Sequence, residues 1–232
     1  MRNHKLAVLQ IGPAPPQVGG METFVHDLMH STLAKHVDLR LLNIAKPVLQ
    51  KGGKYAIQPG YKGAFSRGFF TLLKSYSISL ANFFTFLFRS FFKPIDIVHI
   101  HTASYTSFWE KCAYILFAKL TFKKVVLHIH GALFADFYRE SGFLVKRLVR
   151  LFVCMADSIV VLSQSWADFF SGICPATKIK IVENGINLDA FRNREPQRTQ
   201  TASLLYLGEV SSRKGIYDLL KAANKLVEEG FE

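Results

Sequence analysis

KLAVLQIGPAPPQVGGMETFVHDL, residues 5–28, runs from an apolar strand through a proline and glycine loop into an amphipathic helix. Leu6, Val8, Leu9 and Ile11 form the short apolar run that a parallel strand covered on both faces requires. Pro13, Pro15 and Pro16 exclude helix and central strand, so the chain turns there. Met21, Phe24, Val25, Leu28 and Met29 follow at helical spacing, with one face to bury. Gly19 and Gly20 therefore stand at a helix N-terminus. Backbone amides without partners meet the positive end of the helix dipole there, and a residue lacking Cβ lets an anion approach the main chain. Two readings are open at these glycines, contact with a diphosphate or sugar and a tight turn. Gly12 and Gly19 are too far apart for a GxGxxG fingerprint, and no GK[ST] follows to make a P-loop.

Outward from this unit, strand-like runs recur as VDLRLLNI (37–44), IDIVHIH (95–101), KVVLHIH (124–130), DSIVVL (157–162) and KIKIV (178–182). Helical periodicity falls between them at 69–92, 104–120 and 142–155, with a short helix capped by Ser163 running to 170. Residues 46–68 lack periodicity and read as a loop. The alternation predicts an α/β fold built on a doubly wound parallel sheet, Rossmann-like, over residues 1–191. RNREPQRTQTA (192–202) has the composition of a linker. SLLYLG (203–208) then reads as a new strand and 216–227 as a new helix. One strand and one helix bury no core of their own, so 203–232 reads as the start of a truncated second Rossmann-like unit.

Half of the 232 residues are apolar, enough for a sizeable core, and the formal charge is +12. That balance favours anionic partners such as nucleotides or anionic lipid head groups. No RNA-binding signature, zinc-finger spacing or helix-turn-helix accompanies it, so nucleic acid is not expected. Cys112, Cys154 and Cys174 are odd in number and set in apolar surroundings, as buried thiols of a reducing compartment are. With no signal peptide and no uncharged run long enough to span a bilayer, the expected location is cytoplasmic.

In the helix over 69–92, Phe69, Leu73, Tyr76, Leu80, Phe84, Leu87 and Phe91 recur every three or four positions, with Arg67, Lys74, Arg89 and Lys93 on or beside it. A basic, aromatic-rich amphipathic helix suits an anionic membrane interface, which would make Arg67, Lys74 and Arg89 membrane contacts and place the protein peripherally on the inner face. The alternative is a core helix whose surplus phenylalanines pack against the preceding loop.

All eight histidines precede residue 131, and four form two HxH pairs, His99 with His101 and His128 with His130. Residues i and i+2 share a strand face, so each pair is able to present two imidazoles to one metal. Position favours another use. His130 ends its strand just before Gly131, where open α/β sheets bind ligands, and an imidazole there can hydrogen-bond a sugar hydroxyl or phosphate. His101 also ends its strand and is a cleft-lining candidate, whereas His99 and His128 read as satisfied core residues. Asn184 and Gly185 open the loop after 178–182. Arg213 and Lys214 lie between the last expected strand and helix, a basic pair suited to phosphate or simply a solvated turn.

Taken in order, VGGMETFVHDL, IDIVHIHTA, VLHIHGA, ADSIVVLSQSWADFF, IVENGINLDAF and LLYLGEVSSRKGIYDLLKAA resemble the retaining glycosyltransferases of family 4, which have the two-Rossmann GT-B architecture. The resemblance implies that Gly19 and Gly20 line the cleft near a donor diphosphate, with Glu22, His101, Asn184 and Gly185 around them. It implies that His130 touches the transferred sugar and assists catalysis, and that Lys214, with Arg213, neutralises the diphosphate. The donor would be a nucleotide diphosphate sugar and the acceptor a carbohydrate or lipid-linked hydroxyl, as in surface polysaccharide or glycolipid assembly. Neither a cofactor nor an obligatory metal is implied. The chain departs from the family pattern at Glu209, where arginine is usual, and stops before the family's paired glutamates. The expectation is therefore an incomplete chain, inactive alone. Two other classes remain open: a non-catalytic acceptor-binding or assembly module, and a metal-dependent hydrolase using the HxH pairs.

Overall fold

The computed structural model of the protein describes residues 5–17, 19–46, 69–131, 133–185, 188, 204–208, 210 and 212–230. The chain divides into two compact units, one of residues 1–49 with 65–186 and one of 50–64 with 187–232.

The first unit is a six-stranded sheet in the order β2-β1-β3-β4-β5-β6. Its strands are β1 (Ala7–Gly12), β2 (Asp38–Asn43), β3 (Ile97–Thr102), β4 (Lys124–Ile129), β5 (Ser158–Val161) and β6 (Ile179–Ile181). Every pairing is parallel. Parallel strands need crossovers, and helices supply them. These are α1 (Gly20–Met29), α2 (Leu33–His36), α3 (Phe69–Phe92), α4 (Thr106–Leu120), α5 (Phe134–Glu140), α6 (Phe143–Met155) and α7 (Gln164–Ser171). The doubly wound α/β sheet expected from the sequence is the fold observed.

Alternation along the strands gives the sheet two different faces. Leu9, Ile11, Val98, Ile100, Val125, Leu127, Ile159 and Val161 point one way and join Phe86 of α3, Phe108 and Ile115 of α4, and Val149 and Val153 of α6 in the apolar core. Helix α4 packs against both α3 and α6, so these three form one layer. The residues between, Gln10, His99, His101 and His128, point to the other face, where Phe24 of α1 packs edge-on against His128 and tilted against His101. One face is apolar and the other carries imidazoles.

The sheet order also marks where open α/β sheets generally take ligands. From β1 the chain crosses to β2 on one side and then returns to β3 on the other, so the winding reverses at β1/β3 and opens a crevice at their carboxyl ends. The 13–19 loop and the end of β3 lie there.

Three expectations are corrected. Helix α5 occupies a stretch for which no element was anticipated; at seven residues it is too short for a periodic signal, and Phe134 and Phe137 bury it. Ser163 occupies the N-cap position of α7 but makes no side-chain cap; its hydroxyl meets Ser165 Oγ at 2.9 Å instead. In the second unit, Leu204–Leu207 are not a strand, and Leu204, Leu205 and Leu207 are exposed. A strand needs a partner for its amides and carbonyls, and among the described residues none pairs with them. The second unit otherwise contains a 3₁₀ turn at Ser212–Lys214 and α8 (Ile216–Glu228). Gly215, between them, has φ 74°, a left-handed conformation that favours glycine.

Candidate active site

In the parallel register His101 lies opposite His128. Two HxH pairs on neighbouring strands therefore place four imidazoles on one face. His99 and His128 stack with ring centroids 5.5 Å apart, and His128 and His130 at 4.0 Å. Phe24 covers the group from α1, 5.0 Å from His130 and 4.8 Å from His128.

Hydrogen bonds run through this group in one direction. His101 Nε2 lies 2.8 Å from Gln10 Oε1, and His101 Nδ1 lies 3.0 Å from His130 Nε2. With the Gln10 carbonyl facing the ring, His101 Nε2 must carry the proton and Nδ1 must accept. His130 Nε2 is then the donor, which leaves His130 Nδ1 with its lone pair. Gln10 and His101 are both buried, whereas His130 is half-buried at the carboxyl edge. Gln10 thus sets, through His101, the tautomer of the imidazole at the carboxyl end of β4.

The group is electrically neutral. Burial lowers His130 to about 4. Burial, reinforced by His130, lowers His99 to about 4. Burial, with His130 and His99 adding to it, lowers His128 to about 2. His101 is pushed well down by burial and by its three imidazole neighbours. At neutral pH His130 is a hydrogen-bonding group and not a cation.

Glycines allow this packing. A Cβ on Gly12 would sit 3.0 Å from Val25 Cγ2 and 3.1 Å from His101 Cδ2, and one on Gly131 would sit 2.9 Å from Ser104 N and 3.0 Å from Ala103 Cα. At Gly131 the neighbour is backbone, so glycine is required where β4 meets the β3–α4 loop. Gly19 and Gly20 differ. Beside Gly19 lies the flexible Glu22 carboxylate, folded over the start of α1, and around Gly20 there is nothing within 4 Å. No side chain caps α1. Packing among the described residues does not explain Gly20, and the Glu22 carboxylate lies over the first turn of α1.

Asn184 and Gly185 are exposed beyond the carboxyl end of β6, on the same edge of the sheet as His130 but two strands further out. Arg213 and Lys214 lie in the 3₁₀ turn of the second unit, with Lys214 exposed. Lys74 of α3 is exposed, whereas Arg89 turns inward and donates from Nη1 to Leu41 O at 2.9 Å. Arg67 lies outside the described residues.

The sequence profile of Glycosyltransferase Family 4 matches residues 18–190, well over half of the chain. The chain belongs to glycosyltransferase family 4. No curated protein matches it. Membership in a glycosyltransferase family implies a nucleotide sugar and an acceptor as substrates. The matched region contains the α1 N-terminus and all four clustered histidines.

Sequence reasoning missed Gln10 and Phe24 at this candidate site. Gln10 had left a signal, a lone polar residue inside an apolar strand. Tyr105, before α4, adopts φ 56° beside the Gly131 contact, and no sequence pattern announces that strain. His99 and His128 are not the satisfied core residues expected, since His99 Nε2 and both nitrogens of His128 are buried without a partner. One nitrogen each from His99, His101 and His128 lie within 4.8 Å of one another. A metal there would take a nitrogen of His101 away from Gln10 or His130.

Proposed function

We propose that the protein transfers a sugar from a nucleotide diphosphate sugar to an acceptor hydroxyl with retention of anomeric configuration, without a cofactor or an obligatory metal. One arrangement supports the reading beyond family membership: the Gln10–His101–His130 hydrogen bonds, which leave His130 Nδ1 its lone pair at the carboxyl end of β4. A neutral imidazole acceptor suits a sugar hydroxyl and orients the ring without competing for the diphosphate charge. The glycine start of α1 at Gly19 and Gly20 suits the diphosphate, provided the flexible Glu22 carboxylate beside Gly19 swings aside to admit it. Arg213 and Lys214 are the cations that balance charge developing on the leaving diphosphate. Asn184 and Gly185 contribute to acceptor binding. The acceptor is a lipid-linked or membrane-proximal glycan, because α3 exposes an aromatic face together with Lys74. Surface polysaccharide or glycolipid assembly is the pathway class this acceptor implies.

The test uses the protein in its producing cells. Extracts from wild-type cells, cells lacking the gene and cells carrying His130→Ala are supplied with a panel of labelled nucleotide diphosphate sugars. Incorporation into lipid-extractable product is expected from wild type alone, with the anomeric configuration of the donor. Undiminished incorporation by His130→Ala cells, or an inverted product, refutes the reading.

A further inference from the structure

A cavity of about 600 Å³ lies at the β2 edge of the sheet, where Arg40, Arg89 and Lys93 meet Leu41, Pro94 and Ile95. Backbone carbonyls pin both guanidinium groups, Arg40 Nη1 donating to Pro94 O at 2.8 Å and Arg89 Nη1 to Leu41 O at 2.9 Å. Arg40 Nη2 also pairs with Asp38, the one carboxylate on these side chains. A guanidinium carries five N–H groups, so several remain for a ligand. Lys93 is exposed at the end of α3. Three cations thus stand around one carboxylate at this cavity.

What surrounds the cavity narrows the anion to one source. Helix α3 buries Phe86 and turns Leu73, Tyr76, Leu80, Phe84, Phe88, Phe91 and Phe92 outward, all of them more than half exposed. They recur every three or four residues and form one stripe, and no acidic residue interrupts the 24 residues of the helix. In the same layer α6 exposes Phe143, Leu144, Leu148 and Leu151, and its charged residues Lys146, Arg147 and Arg150 are all basic. Phe122, in the turn after α4, is 95 % exposed. A second copy would bring the same positive face, so like charge disfavours it as the cover.

We propose that the α3–α4–α6 face docks on an anionic membrane, and that the Arg40–Arg89–Lys93 cavity takes the phosphate of an anionic phospholipid while the α3 stripe enters the interface. The inference rests on the membrane-proximal acceptor reading and adds a lipid class and a site to it. Apolar area supplies binding to any bilayer, and the cavity supplies preference for anionic lipid.

Flotation of the full chain with vesicles of phosphatidylcholine, alone or mixed with phosphatidylglycerol, tests it. Wild type is expected to bind both and to prefer the mixed vesicles. Each cation removed, in Lys93→Gln and in Arg89→Gln with Lys93→Gln, should lower partition onto mixed vesicles about fivefold and leave phosphatidylcholine binding unchanged. Lys93 is exposed, so its variant folds even if the double variant does not. Phe84→Ser with Phe88→Ser should weaken binding to both vesicles. Equal binding of the Lys93→Gln variant and wild type to mixed vesicles overturns the cavity assignment and leaves the membrane reading standing. No binding to either vesicle overturns both. Glycerol phosphate held by a protein that ignores vesicles assigns the cavity to a soluble anion and also overturns the proposal.

Discussion

Mild acid should destabilise this protein through the histidine face. His99, His101, His128 and His130 sit neutral on the sheet, with values depressed from 6.5 chiefly by burial. A histidine whose folded value is depressed stabilises the fold fully above its unfolded value and loses that contribution as pH falls below it. At about pH 5 the unfolded chain binds these protons and the folded chain does not, at about 1.4 kcal/mol per pH unit below the unfolded value. His99 and His128 then contribute a loss of about 2 kcal/mol each. His101 acts in the same direction, and the more exposed His130 contributes less because solvent screens it. A loss of about 4 kcal/mol or more is a large part of the 5–15 kcal/mol typical of a domain. Urea denaturation at about pH 7.5 and pH 5 should show the midpoint falling by about 2 M. Carboxylates titrate lower and leave this window to the histidines. His128→Leu isolates the cause. Both nitrogens of His128 lack partners, so an apolar replacement should be neutral or stabilising at pH 7.5 and should remove about 2 kcal/mol of the pH dependence. Equal midpoints at the two pH values, or an unchanged slope in His128→Leu, refute neutral burial.

Three further outcomes are expected. Gln10→Leu strands the buried His101 Nε2–H and should cost about 1–3 kcal/mol in urea denaturation, with a tautomer change at His130 visible by ¹⁵N NMR. Gly131→Ala drives a Cβ into the backbone at Ala103 and Ser104 and should lower stability by about 1–3 kcal/mol, whereas Gly20→Ala, in open space, should leave thermal unfolding unchanged. Asp157 accepts Lys119 Nζ and Val125 N, each at 2.8 Å, so Asp157→Ala should cost about 1–3 kcal/mol by the same denaturation assay.

The sheet was legible because each strand announces itself as a short β-branched or leucine-rich run between helix-period segments, and α3 matched its expected 69–92 span at both ends. Period-two spacing also placed each HxH pair on one face. What sequence spacing does not contain is register across strands. Only the His101–His128 pairing brings the two motifs together, and only the β1–β3 pairing sets Gln10 beside His99 and within reach of His101. Burial was misjudged for the same reason. His128 reads as a satisfied core residue until its neighbours prove to be imidazoles and Phe24 in place of carbonyls. At 204–207 local propensity favoured a strand, but no partner pairs with it among the described residues.

A long-range ¹H–¹⁵N spectrum of the histidine-labelled protein at neutral pH, with and without a nucleotide diphosphate sugar, tests most directly whether His130 offers a neutral acceptor to the sugar. The expected result is a neutral His130 protonated at Nε2, with the Nδ1 resonance moving when the sugar nucleotide binds. An imidazolium at neutral pH, a proton on Nδ1, or an Nδ1 resonance indifferent to a bound sugar nucleotide would contradict it.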